Sequence, residues 1–128
     1  MKISDAAKTV GLPIKTVRYY ADIGLVSPAS RSQAGYRHYD ENSLQQLSFV
    51  KRARSFGFSV NECRELLSLY DASDRSSRDV RAIAVERLKD IRAKQNELQI
   101  LHDELHFLVD ACKGDNQSEC PILNELAK

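Results

Sequence analysis

Residues 4–24 read SDAAKTVGLPIKTVRYYADIG, and this stretch decides the fold of the N-terminal part of the chain. Ser4 is a favourable N-cap residue followed by an acidic first turn, so a short helix is expected to start there and to stop at Gly11. Pro13 is expected at the first position of a second helix, which ends at Gly24. Two short helices joined by a tight Gly-Leu-Pro turn predict a helix-turn-helix over residues 4–23.

The next stretch, residues 25–39, predicts a wing. It carries Pro28 and Gly35, and Tyr36 and Tyr39 stand among basic residues. Turn residues between short runs with alternating aromatic side chains are typical of a two-stranded hairpin.

Two further helices are predicted to complete an N-terminal domain over residues 1–70. Asp40 is expected to cap a helix over residues 40–56. Ser59-Val-Asn-Glu62 has the spacing of a capping box, so another helix is expected over residues 60–70. The predicted fold of this part is mainly α, a winged helix-turn-helix.

A long helix is predicted over residues 76–110, where neither Gly nor Pro occurs. One seam of positions with alternating spacings of four and three has the period of a coiled coil. A helix of this length cannot bury its seam against so small a head domain, so we expect a second copy of the chain and a homodimer. The seam consists of Ala84, Leu88, Ile91, Gln95, Leu98, His102, Leu105 and Val109. Residues 111–128 then form a loop and a short terminal helix that begins at Pro121.

Charge and hydropathy narrow the class of function. Residues 1–58 carry nine Lys/Arg against four Asp/Glu, a net charge of +5, whereas residues 59–128 have ten against fourteen, a net charge of −4. A basic module next to an acidic one is typical of a protein that meets a polyanion through one part. No run approaches the roughly 18 apolar residues of a membrane span, and the N-terminus lacks an apolar signal core. We therefore expect a cytoplasmic protein without a membrane partner.

The candidate DNA-binding residues lie in three of the predicted elements. An Arg on a recognition helix can read guanine in the major groove, and Lys, Thr and Tyr side chains can hold phosphates. For each residue alone, a solvated basic face with tyrosines in the core is an equally good interpretation. The combination of three elements favours DNA binding. The candidates are Lys15, Thr16, Arg18, Tyr20, Arg31, Tyr36, Arg37 and Arg54.

The sequence resembles the winged-helix head of the MerR family of bacterial transcription regulators, most clearly in VRYYADIGLVSP (17–28) and GYRHY (35–39). The resemblance continues through the long helix and covers essentially the whole chain. It implies a dimer whose long helices pair antiparallel, and activation of a promoter, with RNA polymerase present, by distortion of the DNA. By position, it implies that Arg18 faces a base or the adjacent backbone and that Tyr36 acts in the wing. It implies phosphate contacts for Lys15, Tyr20, Arg31, Arg37 and Arg54.

Near the C-terminus, CKGDNQSEC (112–120) places two cysteines around seven mostly polar residues. A disulfide is geometrically possible but disfavoured in a reducing compartment. Zinc usually takes four ligands, and the nearby His102 and His106 are better interpreted as seam and flank residues than as ligands. An iron–sulfur cluster generally needs four thiolates, and Cys63 is expected in the core. A site of two thiolates remains, which suits a monovalent ion such as Cu(I).

Such a site carries one net negative charge and needs compensation. The start of the long helix, Ser76-Ser77-Arg78, and Arg81 one turn on can supply it if a partner chain brings them over the loop. Cys112, Cys120 and the Pro-Ile that follows also resemble the copper-efflux branch of the family, and Asp115 fits its loop pattern. Ser77 matches a position where relatives that sense divalent ions have a third cysteine, which favours Cu(I), with Ag(I) or Au(I) as alternatives.

Three classes of function follow from these residues. The leading prediction is a copper-responsive transcription activator with Cys112 and Cys120 as the metal ligands. The alternative is a thiol redox regulator in which the same two cysteines form a reversible disulfide. A thiol or zinc enzyme is disfavoured because the sequence shows no pairing of a base with a nucleophile.

Overall fold

The computed structural model describes all residues from Met1 to Lys128. It is mainly helical with one small antiparallel sheet, which confirms the predicted winged helix-turn-helix followed by a long helix. None of the helices combines the length and the apolar character that a membrane crossing requires. The elements in chain order are α1 (Ile3–Val10), α2 (Ile14–Asp22), β1 (Ser30–Arg31), β2 (Arg37–His38), α3 (Glu41–Ser55), α4 (Val60–Asp71), α5 (Ser77–Ala111) and α6 (Pro121–Leu126).

Helix α1 begins earlier than predicted, since its N-cap is Lys2 rather than Ser4. Lys2 has extended backbone and forms an isolated antiparallel bridge with His38 of β2, so the chain leaves the sheet directly into the helix. Pro13, likewise, is the N-cap of α2 and not its first helical residue. Both predicted starts were therefore wrong by one or two positions, because the extended residues that precede each helix serve as its boundary.

The turn between α1 and α2 depends on Gly11. Its φ of 76° lies in the left-handed region that glycine adopts without strain, and its N–H donates to the Ala7 carbonyl. A Cβ at this position would also lie 2.7 Å from Nζ of Lys51. That ammonium group of α3 donates to the Val10 carbonyl at 2.9 Å and so holds the C-terminal end of α1.

The wing is a short hairpin in which Ser30 pairs with His38 and Arg31 with Arg37. Tyr39 follows β2 and is fully buried, whereas Tyr36 at the hairpin is 74% exposed. The two tyrosines of the wing therefore have different roles, with Tyr39 in the core and Tyr36 at the surface. Burial raises the pKa of the Tyr39 phenol, and its hydroxyl has no hydrogen-bond partner.

Helices α3 and α4 start at the caps that the sequence predicts. The Asp40 carboxylate accepts from the Ser43 N–H at 2.9 Å. Ser59 and Glu62 form a reciprocal capping box. Cys63 is fully buried in the core, as expected, together with Val17, Val26, Leu47 and Val50.

The chain forms two compact units, Met1–Ala84 and Val85–Lys128. The first two turns of α5 belong to the N-terminal unit because Asp79, Ala82 and Ile83 share a groove with Glu65, Ser68 and Leu69 of α4. Helix α5 therefore continues from one unit into the other.

Candidate DNA-binding and metal-binding sites

Helix α2 presents one face to the core and the other to solvent. Val17 and Tyr20 are buried, and Lys15, Arg18 and Tyr19 are exposed. Because these positions follow the helical period, the buried pair fixes the rotation of the helix and aims its basic residues outward. Arg18 is thus available for a base or a phosphate.

Several of the predicted DNA-binding residues line one shallow groove of about 300 Å³. Its lining residues come from three helices and are Lys15, Thr16, Tyr19, Tyr20, Arg54 and Val60. The Arg54 guanidinium donates to the Phe58 carbonyl at 2.7 Å, which fixes this exposed cation beside α2. Residues far apart in sequence therefore form one basic, aromatic surface.

Two tyrosines differ from the expectation. Tyr20 is only 6% exposed and belongs to the hydrophobic core, so its main contact is packing and only a small part of it reaches the groove. Tyr19, which is crowded with Lys15 and Arg18 in the sequence but is not among the candidate DNA-binding residues, is half exposed on the same groove. The helical period could have separated the two, because Val17 and Tyr20 are three residues apart and share a face.

Arg37 has a different environment from the one expected for a phosphate contact. Its guanidinium pairs with the Asp22 carboxylate at 2.6 Å, and its side chain is only 16% exposed. It also donates to the Arg18 carbonyl at 3.4 Å. Arg37 therefore ties the wing to the end of α2, while Arg31 and Tyr36 remain exposed on the wing.

Sequence reasoning also missed Arg64. Its guanidinium donates to the carbonyls of Gly24 and Ile23, each at 3.1 Å, and so caps the end of α2 from α4. Forty residues separate donor and acceptor, and no local pattern marks such a pair. Together with Lys51, this residue holds the helix-turn-helix against the rest of the N-terminal unit.

Helix α5 leaves its apolar residues uncovered in the single chain, where none of its residues is buried. Leu88, Leu98, Leu105 and Val109 of the predicted seam are each more than half exposed. Its charge is also divided, with six Lys/Arg against three Asp/Glu over residues 77–94 and four Asp/Glu without Lys/Arg over residues 95–111. A basic first half and an acidic second half oppose the helix dipole but complement an antiparallel copy.

The two C-terminal cysteines lie close together at the junction of α5, the loop and α6. Cys112 follows the last residue of α5. Cys120 is the N-cap residue of α6, and its side chain makes no capping hydrogen bond. The pKa of the Cys120 thiol lies below its usual value, mainly because the backbone N–H of Leu123 interacts with its sulfur. The backbone N–H of Ile122 and the Cys112 side chain lower this pKa further, whereas partial burial of the thiol raises it. Both thiols are free and partly exposed.

The loop between the cysteines is shaped by its own backbone. Gly114 has a positive φ of 64°, and the Asp115 carboxylate accepts from the Gln117 N–H at 2.9 Å. Asp115 therefore stabilises a turn within the loop. The chain contains no group of three or more His, Cys, Asp or Glu side chains with the geometry of a metal site.

Ser77 and Arg81 belong to the start of α5, whereas the cysteine loop follows its last residue. Both lie in the first two turns of α5, and a helix of 35 residues is about 52 Å long. The Ser76 hydroxyl accepts from the Arg78 N–H at 3.2 Å and caps this end of the helix.

A winged helix-turn-helix with a basic recognition surface and an uncovered coiled-coil face defines a dimeric DNA-binding regulator. Two family models match the chain, "MerR HTH family regulatory protein" over residues 1–69 and "MerR, DNA binding" over residues 44–108. The chain belongs to the MerR family. Members of this family bind promoter DNA as homodimers and are regulators, not enzymes.

Individual relatives match over nearly the whole chain. The HTH-type transcriptional regulator HmrR of Rhizobium leguminosarum is 49% identical over 99% of this chain and 98% of its own length. CueR of Salmonella typhimurium is 40% identical over 99% of this chain and 92% of its own length. The transcription regulator PbrR691 of Ralstonia metallidurans, solved in complex with lead(II), has a TM-score of 0.82 and 35% identity over 98% of each chain. The similarity to HmrR and CueR supports the copper-efflux branch.

Proposed function

We propose that the protein is a metal-responsive transcription activator whose inducer is Cu(I), bound by the thiolates of Cys112 and Cys120. It binds its promoter as a homodimer and activates copper-efflux or resistance genes by distorting the DNA when the metal is bound. Ag(I) and Au(I), which share the preference of Cu(I) for two soft donors, act as alternative inducers. The observation that carries the proposal is the pair of adjacent, free thiols without a third ligand around them.

The donor set fits a monovalent soft ion better than zinc. Two thiolates satisfy a soft monovalent d10 ion such as Cu(I), whereas divalent zinc generally takes four ligands. The lowered pKa of the Cys120 thiol favours the thiolate that such an ion needs. Among the relatives, PbrR691 was solved with lead(II), so a soft heavy metal occupies at least one protein of this fold.

The charge of the site calls for a second chain. Two thiolates and one monovalent ion leave a net charge of −1, which costs free energy if it is shielded from water. Antiparallel pairing of α5, which its divided charge favours, brings the start of the partner helix towards the loop. The partner's Ser77 and the partner's Arg81 would then offer a helix N-terminus and a full positive charge. Asp115 keeps the loop in its turn.

The N-terminal unit supplies the response at the DNA. Arg18 and Lys15 on α2, with Arg54 beside them and Arg31 on the wing, neutralise phosphates. Each phosphate contact adds about −0.9 to the salt slope of binding. Distortion of a promoter costs on the order of 1–6 kcal/mol, and these contacts offset it. RNA polymerase reads the distorted promoter.

A redox regulator is the second candidate, because the same two free thiols lie close together and one has a lowered pKa. Oxidation would join the sulfurs of Cys112 and Cys120 in a disulfide, with loss of two protons and two electrons to an oxidant such as a peroxide. The two candidates make opposite predictions for inducers. Cu(I) supplied anaerobically activates transcription only in the first, and diamide without metal only in the second.

The test uses cysteine variants in a promoter-linked transcription assay. Cys112→Ser and Cys120→Ser are each expected to abolish the response to Cu(I) while promoter binding survives. Cys63→Ala is the matched control, since that thiol is buried in the N-terminal core, and it is expected to keep the response. A response to Cu(I) that survives in either of the first two variants contradicts the proposal.

A further inference from the structure

The seam of α5 has the same spacing when it is read from either end. Its positions, counted forward from Ala84 or backward from Val109, follow one order of spacings: four, three, four, three, four, three and four residues. Two antiparallel copies of such a seam can therefore be aligned so that every seam residue lies level with a seam residue of the other copy. A seam with a different order in each direction would leave some of its residues out of step.

A second copy of the chain also has the chemistry that this face requires. The seam residues Leu88, Leu98, Leu105 and Val109 are 64%, 65%, 54% and 53% exposed in the single chain, so they need an apolar cover. Residues 77–94 carry six Lys/Arg against three Asp/Glu, a net charge of +3, and residues 95–111 carry four Asp/Glu alone, a net charge of −4. Antiparallel copies place these unlike halves side by side, whereas parallel copies place like charges together.

We propose that α5 pairs with its antiparallel copy in the one register in which the numbers of two level residues add up to 193. The two-fold axis of the dimer then crosses the helix between Asn96 and Glu97. The inference rests on the homodimer and does not depend on which metal is the inducer. The layers, each of which occurs twice, are Ala84 with the partner's Val109, Leu88 with the partner's Leu105, Ile91 with the partner's His102, and Gln95 with the partner's Leu98.

Neighbouring registers cover less of the seam. A shift of one helix by seven residues keeps the spacings in step but leaves two seam residues of each chain without a counterpart. A shift in one direction leaves out Leu105 and Val109, and a shift in the other direction leaves out Ala84 and Leu88. The polar residues Gln95 and His102 stay within the paired seam in all three registers, so the apolar ends decide between them.

The register also sets how far apart the two cysteine loops of a dimer begin. Ala111, the last residue of α5, is about 14.5 residues from the axis, so its two copies lie about 44 Å apart along the coiled coil. Cys112 follows directly. The two Cys112 residues of a dimer therefore cannot hold one ion together, and the cysteine pair of each chain is a separate site.

Spin labels at two matched positions measure the register. Glu86 and Phe107 lie on the face of α5 away from the seam, and their side chains are 68% and 73% exposed. Each position is about 10.5 residues from the proposed axis, on opposite sides, so its two copies are about 32 Å apart along the coiled coil. The width of two packed helices adds about 20–24 Å at right angles, which gives a distance of about 38 Å for either label.

Glu86→Cys and Phe107→Cys are made separately in the full chain with Cys112→Ser and Cys120→Ser, and label distances are measured by double electron–electron resonance. Cys63 stays, because its thiol is fully buried. The protein without an added cysteine is the control and is expected to give no dipolar signal. Circular dichroism checks that the labelled variants keep their helix content.

We expect the two variants to give the same distance, about 38 Å. A shift by one heptad moves the distances in opposite directions, to about 30 Å for one label and about 47 Å for the other, and such a result overturns the register but keeps the dimer. Two equal distances of only about 20–24 Å indicate parallel helices and also overturn it. The Cu(I) response of the chain with its native cysteines does not depend on which register holds, so the two proposals fail separately.

Discussion

Leu98 and Ile100 form a matched pair that tests where α5 meets its partner. In the single chain Leu98 is 65% exposed and Ile100 66% exposed. Both side chains are aliphatic with four carbons, so truncation to alanine removes the same amount of apolar material. Successive residues of an α-helix are about 100° apart, which places the two side chains about 200° apart around α5. Only Leu98 lies on the predicted seam.

The size of the effect follows from the exposed fraction. Leu98→Ala removes three carbons, worth about 0.8 kcal/mol each when they are buried. Roughly 65% of that, about 1.5 kcal/mol, is still exposed in the single chain and is gained only on pairing. Because each of the two chains loses this contribution, the dimer is destabilised by about 3 kcal/mol, which raises its dissociation constant about 100-fold. Ile100→Ala is expected to leave the dimer dissociation constant unchanged.

Sedimentation equilibrium over a range of protein concentrations measures the dimer dissociation constants of the two variants. The reasoning is refuted if Ile100→Ala weakens the dimer as much as Leu98→Ala does, or if Leu98→Ala has no effect. In the first case a different face of α5 is the interface. In the second, the exposed leucine is not covered by a partner.

Further predictions concern the DNA surface, the core and the thiols. Arg18→Ala is expected to weaken promoter binding and to lower its salt slope by about one, with the dimer intact in gel-shift and sedimentation assays; unchanged affinity rejects the role of this arginine. Asp22→Asn releases Arg37 from its ion pair and should reduce wing protection in footprinting, and an unaltered footprint argues that the pair does not position the wing. Tyr39→Phe removes a buried hydroxyl without a partner, so the free energy of unfolding should rise by about 1 kcal/mol, whereas a fall of that size means that the hydroxyl has an important contact. The lowered pKa of Cys120 makes its thiolate more abundant in the folded than in the unfolded chain at a given pH. The iodoacetamide reaction of this thiol should therefore have its midpoint at a lower pH in the native than in the unfolded chain, and equal midpoints in the two states disagree with that shift.

Local signals in the sequence were sufficient for most of the fold. Helix starts with a side-chain cap, at Asp40 and at Ser59, were predicted correctly because the capping group lies within three residues of its partner. The start of α1 was missed because its boundary is set by the bridge between Lys2 and His38, residues that the sequence separates widely. The groove that the first turns of α5 share with α4 likewise depends on tertiary structure.

The candidate DNA surface shows the same limit. Residue types and helical period predicted which element carries the basic side chains. They could not show that Arg37 is held by Asp22, because a cation in a wing has the same sequence signature whether it is paired or free. Nor could they show that Arg64 caps α2 from forty residues away. Such contacts depend on tertiary structure.

The cysteine pair was identifiable from spacing, but its environment was not. The position of Cys120 at the start of α6 follows from Pro121, a residue that favours the first turn of a helix. The contact between the Cys112 side chain and the Cys120 sulfur depends on the turn at Gly114 and Asp115.

The coordination number of the bound copper tests the central claim most directly. X-ray absorption is measured on the full chain purified anaerobically and loaded with one equivalent of Cu(I). The proposal predicts two sulfur neighbours per copper, and loss of this signature in Cys112→Ser and in Cys120→Ser. Three or more ligands, or nitrogen and oxygen neighbours in place of sulfur, would contradict a two-thiolate Cu(I) site.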